Sequence, residues 1–144
     1  GLIFAGRPPE ATLGTLAETY DGSSWTEVAD LSTQRGYVGG CGSQTAAICV
    51  GGFDGTVSPG MQSGAKVEKW DGSNWTDVSS AQPDSRVAPL VLYVASDEVY
   101  VWSGQISPNR LTDGLEWDGS SFATATGTMN TAQYHGHGGI NTNT

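Results

Sequence analysis

The sequence is poor in positive charge. Six Lys and Arg stand against 15 Asp and Glu in 144 residues, a formal net charge of −9, and only Lys66 and Lys69 are lysines. A phosphate backbone requires a basic stripe, so no nucleic-acid partner is expected. An anionic membrane surface is disfavoured for the same reason. Long apolar runs are also missing; the longest is a few residues, against about 20 for a membrane helix, and no membrane insertion is expected. No basic start leads into an apolar centre, as in a signal peptide. The chain begins at Gly1 rather than Met, which reads as a processed product or a part of something longer. No stretch of ten residues is rich in helix formers, which excludes a helical bundle.

Glycine, by contrast, is abundant: 21 of 144 residues, about twice the usual share of roughly 7%. With frequent Ser and Thr, this points to short strands joined by tight turns. Five Trp, five Tyr and three Phe are too many for a disordered chain and can anchor a core. The length allows one modest domain.

The chain repeats itself. Tyr20-Asp21-Gly22-Ser23-Ser24-Trp25-Thr26 recurs as Trp70-Asp71-Gly72-Ser73-Asn74-Trp75-Thr76 and again as Trp117-Asp118-Gly119-Ser120-Ser121-Phe122-Ala123, at spacings of 50 and 47 residues. Glu18, Glu68 and Glu116 stand near the start of each copy, and Arg35, Arg86 and Gln133 follow. Small pairs, Ala5-Gly6, Gly51-Gly52 and Ser103-Gly104, each end an apolar strand. Three units of about 48 residues match the period of a four-stranded propeller blade.

Within a unit, Asp-Gly between two strands is a strong hairpin signal, because both residues tolerate positive φ. It predicts antiparallel strands at Glu18-Thr19-Tyr20 and 25–28. Residues 39–41 and 46–50 flank a second hairpin, and 91–94 with 99–101 flank another. Trp25, Trp75 and Phe122 are expected to be equivalent and buried between units. The loops after the small pairs, residues 7–19, 53–69 and 105–116, vary in length and composition, and loops of that kind carry specificity. They nominate Arg7, Glu10, Phe53, Asp54, Met61, Gln105, Asn109 and Arg110 as ligand-binding positions.

Gly51-Gly52 after an apolar strand, then Trp70-Asp71, Trp75 and Arg86, resembles the kelch repeat, and the resemblance covers the whole chain. Tyr-Asp-Gly-Ser-Ser-Trp-Thr followed by Thr-Gln-Arg is similar, more narrowly, to kelch-like arrays in virion structural proteins of marine tailed phages. Phe122 for Trp, Gln133 for Arg and Ala5 for Gly depart from the pattern. The resemblance implies an all-β, kelch-like β-propeller with three four-stranded blades, at about 1–46, 47–98 and 99–144. It also implies a structural repeat built on Tyr20, Asp21, Gly22, Trp25, Arg35, Trp70, Asp71, Gly72, Trp75, Arg86, Trp117, Asp118, Gly119 and Phe122. Three blades are too few for a ring, since propellers have about 4 to 8. A second copy, or further chain, is expected to complete six. A strand at 134–141 would then pair with residues 1–4 of the other copy.

Candidate chemistry is sparse. His135 and His137 are two apart, so they share a strand face and could hold a metal, but no third ligand lies in that segment. Cys41 and Cys49 sit on the two strands of one hairpin, where a disulfide is conceivable and small buried hydrophobes are the default. Asp21, Asp71 and Asp118 occur once per unit, which marks them as architectural, bonding turn N–H groups. The sequon at Asn74 is explained by the repeat. No P-loop or dinucleotide fingerprint is present. The expected function is therefore a non-catalytic structural or interaction module of a virion or extracellular assembly, such as a phage tail, fibre or surface protein. It takes no cofactor or metal. Its partners are a second copy or neighbouring virion proteins, with a host-surface glycan or receptor as candidate ligand. The alternatives are a protein-binding module of a cellular kelch protein, or half of a propeller enzyme such as a sugar oxidase or glycosidase.

Overall fold

Short runs of β-branched and aromatic residues, cut by Gly-containing turns, produce thirteen strands and no helix among the described residues. The computed structural model describes residues 1–6, 13–55, 65–78, 84–95 and 98–133. Sheet I comprises β1 (Leu2–Phe4), β2 (Ala17–Tyr20) and β3 (Trp25–Glu27), in that order. Sheet II runs β4 (Gly39–Gly42), β5 (Ala47–Val50), β6 (Val67–Trp70) and β7 (Trp75–Asp77). Sheet III takes β8 (Leu90–Ala95), β9 (Glu98–Trp102), β12 (Gly114–Trp117) and β13 (Phe122–Thr124) in the same up-and-down order. Between β9 and β12 a two-stranded ribbon, β10 (Gln105–Ile106) and β11 (Asn109–Arg110), turns at a cis Ser107-Pro108 bond. The hairpins expected at 18–28, 39–50 and 91–101 are all present as antiparallel pairs.

The three sheets are copies in register. Tyr20 pairs with Trp25, Trp70 with Trp75 and Trp117 with Phe122. Backbone angles repeat as well. The first residue of each small pair is left-handed (Ala5 φ 58°, Gly51 φ 65°, Ser103 φ 58°), and so is the residue two past each arginine (Tyr37 φ 57°, Ala88 φ 51°). The Asp-Gly connection is a four-residue loop in which only the glycine has positive φ (Gly22 110°, Gly72 96°, Gly119 96°). The aspartate instead accepts hydrogen bonds: the Ser23 and Ser24 amides donate to Asp21 Oδ1 at 2.7 and 2.9 Å, and the other two turns repeat this. Both residues were expected to use positive φ. The carboxylate takes over that role for the aspartate by tying down the loop in an ordinary conformation.

Each sheet has a leading face, turned towards the preceding sheet, and a trailing face, turned towards the next. Side chains alternate between them along every strand. The trailing face of sheet II (Ile48, Val50, Val67) packs on the leading face of sheet III (Val99, Val101, Leu115, Trp117). The trailing face of sheet I (Phe4, Ala17) meets the leading face of sheet II (Cys49, Trp75), with Leu31 from the connecting segment. Phe4 presses edge-on against Trp75, with centroids 4.8 Å apart.

Two expectations need correction. Trp25, Trp75 and Phe122 share a register position but not an environment. Trp25 is 50% exposed, whereas Trp75 and Phe122 are half-buried. Each sits on a leading face, and sheet I has no sheet before it among the described residues. Among the described residues sheet I has three strands against the four expected, and none pairs with the outer edge of β1. The pairing expected between 134–141 and 1–4 falls outside the described residues.

Candidate functional site

The most constrained region is the junction between consecutive sheets. After the outer strand of sheet I, the chain crosses to sheet II through Arg35, which is fully buried. One guanidinium nitrogen donates to the carbonyls of Gly51 (2.8 Å) and Lys66 (3.0 Å), and the other meets Glu68 Oε1 at 2.8 Å. The Ser32 amide donates to the other oxygen of Glu68 at 2.8 Å. Both partners are completely enclosed, so the two charges satisfy one another in a low dielectric. Arg86 repeats the geometry at the next junction. It donates to the carbonyls of Ser103 (3.1 Å) and Asp113 (3.4 Å). The counterpart of Glu68 in sheet III is Leu115, so Arg86 turns to Asp84 instead, at 2.5 Å. The repeating Glu noted in the sequence therefore splits by register. Glu18 and Glu68 are equivalent, and Glu116 lies one position later, beside Tyr100. Sequence spacing alone gave no sign of that offset, nor of the Arg35–Glu68 pair.

The nominated ligand positions separate into three groups. Arg7, Glu10 and Met61 lie outside the described residues. Phe53 and Gln105 are framework: each stands two residues past a left-handed small residue and forms an antiparallel bridge to the residue following the arginine, Gly36 or Val87. Asp54 is half-buried beside Phe53. Asn109 and Arg110 are exposed on the β10–β11 ribbon, where Arg110 pairs with Gln105. The structure thus brings Gln105, Asn109 and Arg110 onto one ribbon, and places Phe53 at the equivalent root in sheet II.

The ionisable groups follow their surroundings. Hydrogen bonds from the Ser121 and Ser120 amides hold the Asp118 carboxyl down at about 2, and the same donors from Ser24 and Ser23 pull Asp21 lower still. Asn74 and Ser73 amides lower Asp71 likewise. Burial pushes the Cys41 and Cys49 thiols up to about 12. They do not face each other: Cys41 is opposite Ile48, and Cys49 is opposite Gly40, so they point to opposite sides of sheet II. Both are free thiols. Desolvation, with Glu116 and then Glu98 nearby, raises the Tyr100 phenol. No group of three metal-ligating side chains occurs among the described residues. His135 and His137 lie outside them.

A groove of about 410 Å³ runs along the edge of β1 that no described strand pairs. Leu2 and Phe4 form one wall, Gly40, Cys41 and Gln44 the other. In sheets II and III the corresponding edge is occupied, by β4 and β8, which lie against each other. Glycine at 40 is what permits the close approach of Phe4, since a Cβ there would collide with the Phe4 ring. Compared with known families and curated proteins, the chain matches no family model and no curated sequence.

Proposed function

We propose that the chain is a kelch-like β-propeller segment of three blades that serves as a non-catalytic structural and interaction module of a virion or other extracellular assembly. The observation that carries this reading is the equivalence of the three sheets: the residues that recur are spent on architecture. Arg35 and Arg86 bond the next sheet's backbone, and the three turn aspartates bond their own loops. A site that performs chemistry on a repeat fold breaks the symmetry at one place with a matched acid, base or nucleophile. At the repeat's motif positions the departures are Ala5, Leu115, Phe122 and Gln133, none of which carries an ionisable group. The net charge of −9 and the Tyr-Asp-Gly-Ser-Ser-Trp-Thr wording support a virion setting.

Ligand contact is assigned to the segments after the small pairs, where Asn109 and Arg110 are exposed. A host-surface glycan or protein receptor is the candidate ligand. Two measurements test the proposal. The first screens the chain for sugar-oxidase and glycosidase turnover with and without added Cu²⁺ or Zn²⁺; no turnover is expected, and activity lost in a His135→Ala, His137→Ala double variant would refute it. The second identifies the genes neighbouring the coding region. Capsid, portal or tail genes are expected, and a metabolic operon would overturn the virion assignment.

A further inference from the structure

Sheets II and III pack face to face, and a cavity of about 40 Å³ remains between them. It lies at the end of the sheets that carries the Asp-Gly turns, beside the β4–β5 hairpin. Ile48, Val99 and Trp117 give it an apolar floor, and Lys69 and Tyr93 complete the wall. Lys69 leaves the trailing face of sheet II next to Ile48. Its ammonium stands 5.5 Å from the centre of the Trp117 ring and donates to the Gly119 carbonyl at 3.3 Å. An ammonium has three donors, so this bond leaves two. Arg35, Lys66 and Arg86 each meet a carboxylate. Lys69 meets none among the described residues, although the chain holds 15 acidic residues against 6 basic ones. Tyr93 is 46% exposed, so its side chain extends from the cavity to solvent. The equivalent junction between sheets I and II has neither group. Register places Thr19 where Lys69 stands and Gly42 where Tyr93 stands. At this cavity the repeat is broken by one cation and one aromatic ring.

We propose that this cavity binds the carboxylate of a small ligand, with Lys69 as its counter-ion. The site goes beyond the function proposed above. It lies at the turn end of the sheets, opposite the segments after the small pairs, and is built by sheets II and III alone. Apolar walls with one convergent charge are the usual make-up of a small-molecule site. The apolar floor lowers the local dielectric, which strengthens the attraction between the ammonium and an anion. One ammonium balances one negative charge, which matches a carboxylate rather than a phosphate dianion. Lysine also offers a compact charge rather than the planar fork of arginine, so a single carboxylate oxygen satisfies it. Size sets the rest. A cavity needs about 10 to 15 Å³ to admit one water. About 40 Å³ therefore admits a carboxyl group and excludes a sugar ring, and the body of any larger ligand must stay outside, beside Tyr93. Two sources share this chemistry: a free short-chain carboxylic acid, and an acidic sugar whose ring lies against Tyr93.

Chemical-shift titration of the 144-residue chain with acetate and with the methyl glycoside of glucuronic acid, at constant ionic strength, tests the proposal. Methyl glucoside is the neutral control. Saturable shifts centred on Lys69, Tyr93 and the Trp117 indole are expected with at least one of the acids, and none with the control. A dissociation constant of about 1 to 10 mM is expected for so few contacts. Lys69→Gln removes the charge and should weaken binding about tenfold or more. Lys69→Thr, which restores the residue of sheet I, should do the same, and Lys69→Arg, which keeps the charge, should retain binding. Tyr93→Ala separates the two sources. A tenfold loss for the glucuronide with acetate unchanged assigns the pocket to an acidic sugar; equal affinities indifferent to Tyr93→Ala assign it to a free acid. Three results would overturn the proposal. They are no saturable shift with either acid at about 100 mM, an equal response to methyl glucoside, and binding that survives both Lys69→Gln and Lys69→Thr.

Discussion

The three turn aspartates show how one side chain fixes a loop. Asp118 Oδ1 accepts from two backbone amides and the Ser120 hydroxyl, at 2.8 Å in each case. These bonds favour the ionised form, which is why the carboxyl sits at about 2 rather than 3.8. A folded value below the unfolded one means the stabilisation is complete above the unfolded value. It is lost as pH falls through 3.8 towards about 2. Carbon-detected titration of Asp118 should therefore show a midpoint close to 2, and Asp118→Asn should remove the acid-range loss at that hairpin. A midpoint near 4 would show that the loop is not held by its carboxylate. The cysteines behave in the opposite sense. Their thiols, raised to about 12 by burial, should resist alkylation at pH 8 in the folded chain and react fully in denaturant. Rapid modification of Cys49 in the native protein would contradict its enclosure.

At the scale of the element, burial and strand register decide which equivalent residues matter. Arg35 and Glu68 link sheet I to sheet II with both charges out of water. Removing one partner of such a pair leaves an uncompensated charge and costs about 3 to 5 kcal/mol. Glu68→Gln should therefore lower the unfolding free energy by that order in chemical denaturation. Glu18→Gln in the monomeric chain should change little. Trp75 is wedged between Phe4 and Trp70, and truncation of such a residue to alanine costs about 3 to 5 kcal/mol. Trp25 is half exposed, and Trp25→Ala in monomer should cost well under that. Equal losses at the two positions would mean that something else covers Trp25.

The hairpins were legible in the sequence because each depends on neighbours within a few residues. Asp-Gly loops, alternating apolar positions and the small pair after a strand all announce themselves locally. What the sequence did not disclose is relational. The exposure of Trp25 depends on which sheet stands before it, and its motif is the same as that of Trp75. The Arg35–Glu68 pair joins residues 33 apart, and Glu116 looked like the third member of a set to which Leu115 belongs by register. The β10–β11 ribbon was read as loop because its strands are two residues each and turn at a proline. Ala5 and Ser103 hold a left-handed backbone that their residue types do not advertise.

For the whole molecule, the sheets differ in what lies along their first edge among the described residues. Gly1 and Tyr20 exchange both backbone hydrogen bonds, and the Ala5 amide donates to Leu16. Antiparallel alternation then turns the Leu2 and Phe4 amides away from β2, towards the groove. Their counterparts in sheet II are Ile48 and Val50, whose edge is taken by β4. Amide exchange should distinguish the two pairs by site. Ile48 and Val50 should be protected at every protein concentration, because their partners belong to the same chain. Leu2 and Phe4, whose outward amides meet no described strand, should exchange much faster than Ile48 and Val50. Leu2 and Phe4 amides as slow as those of Ile48 and Val50 would show that a further strand covers that edge.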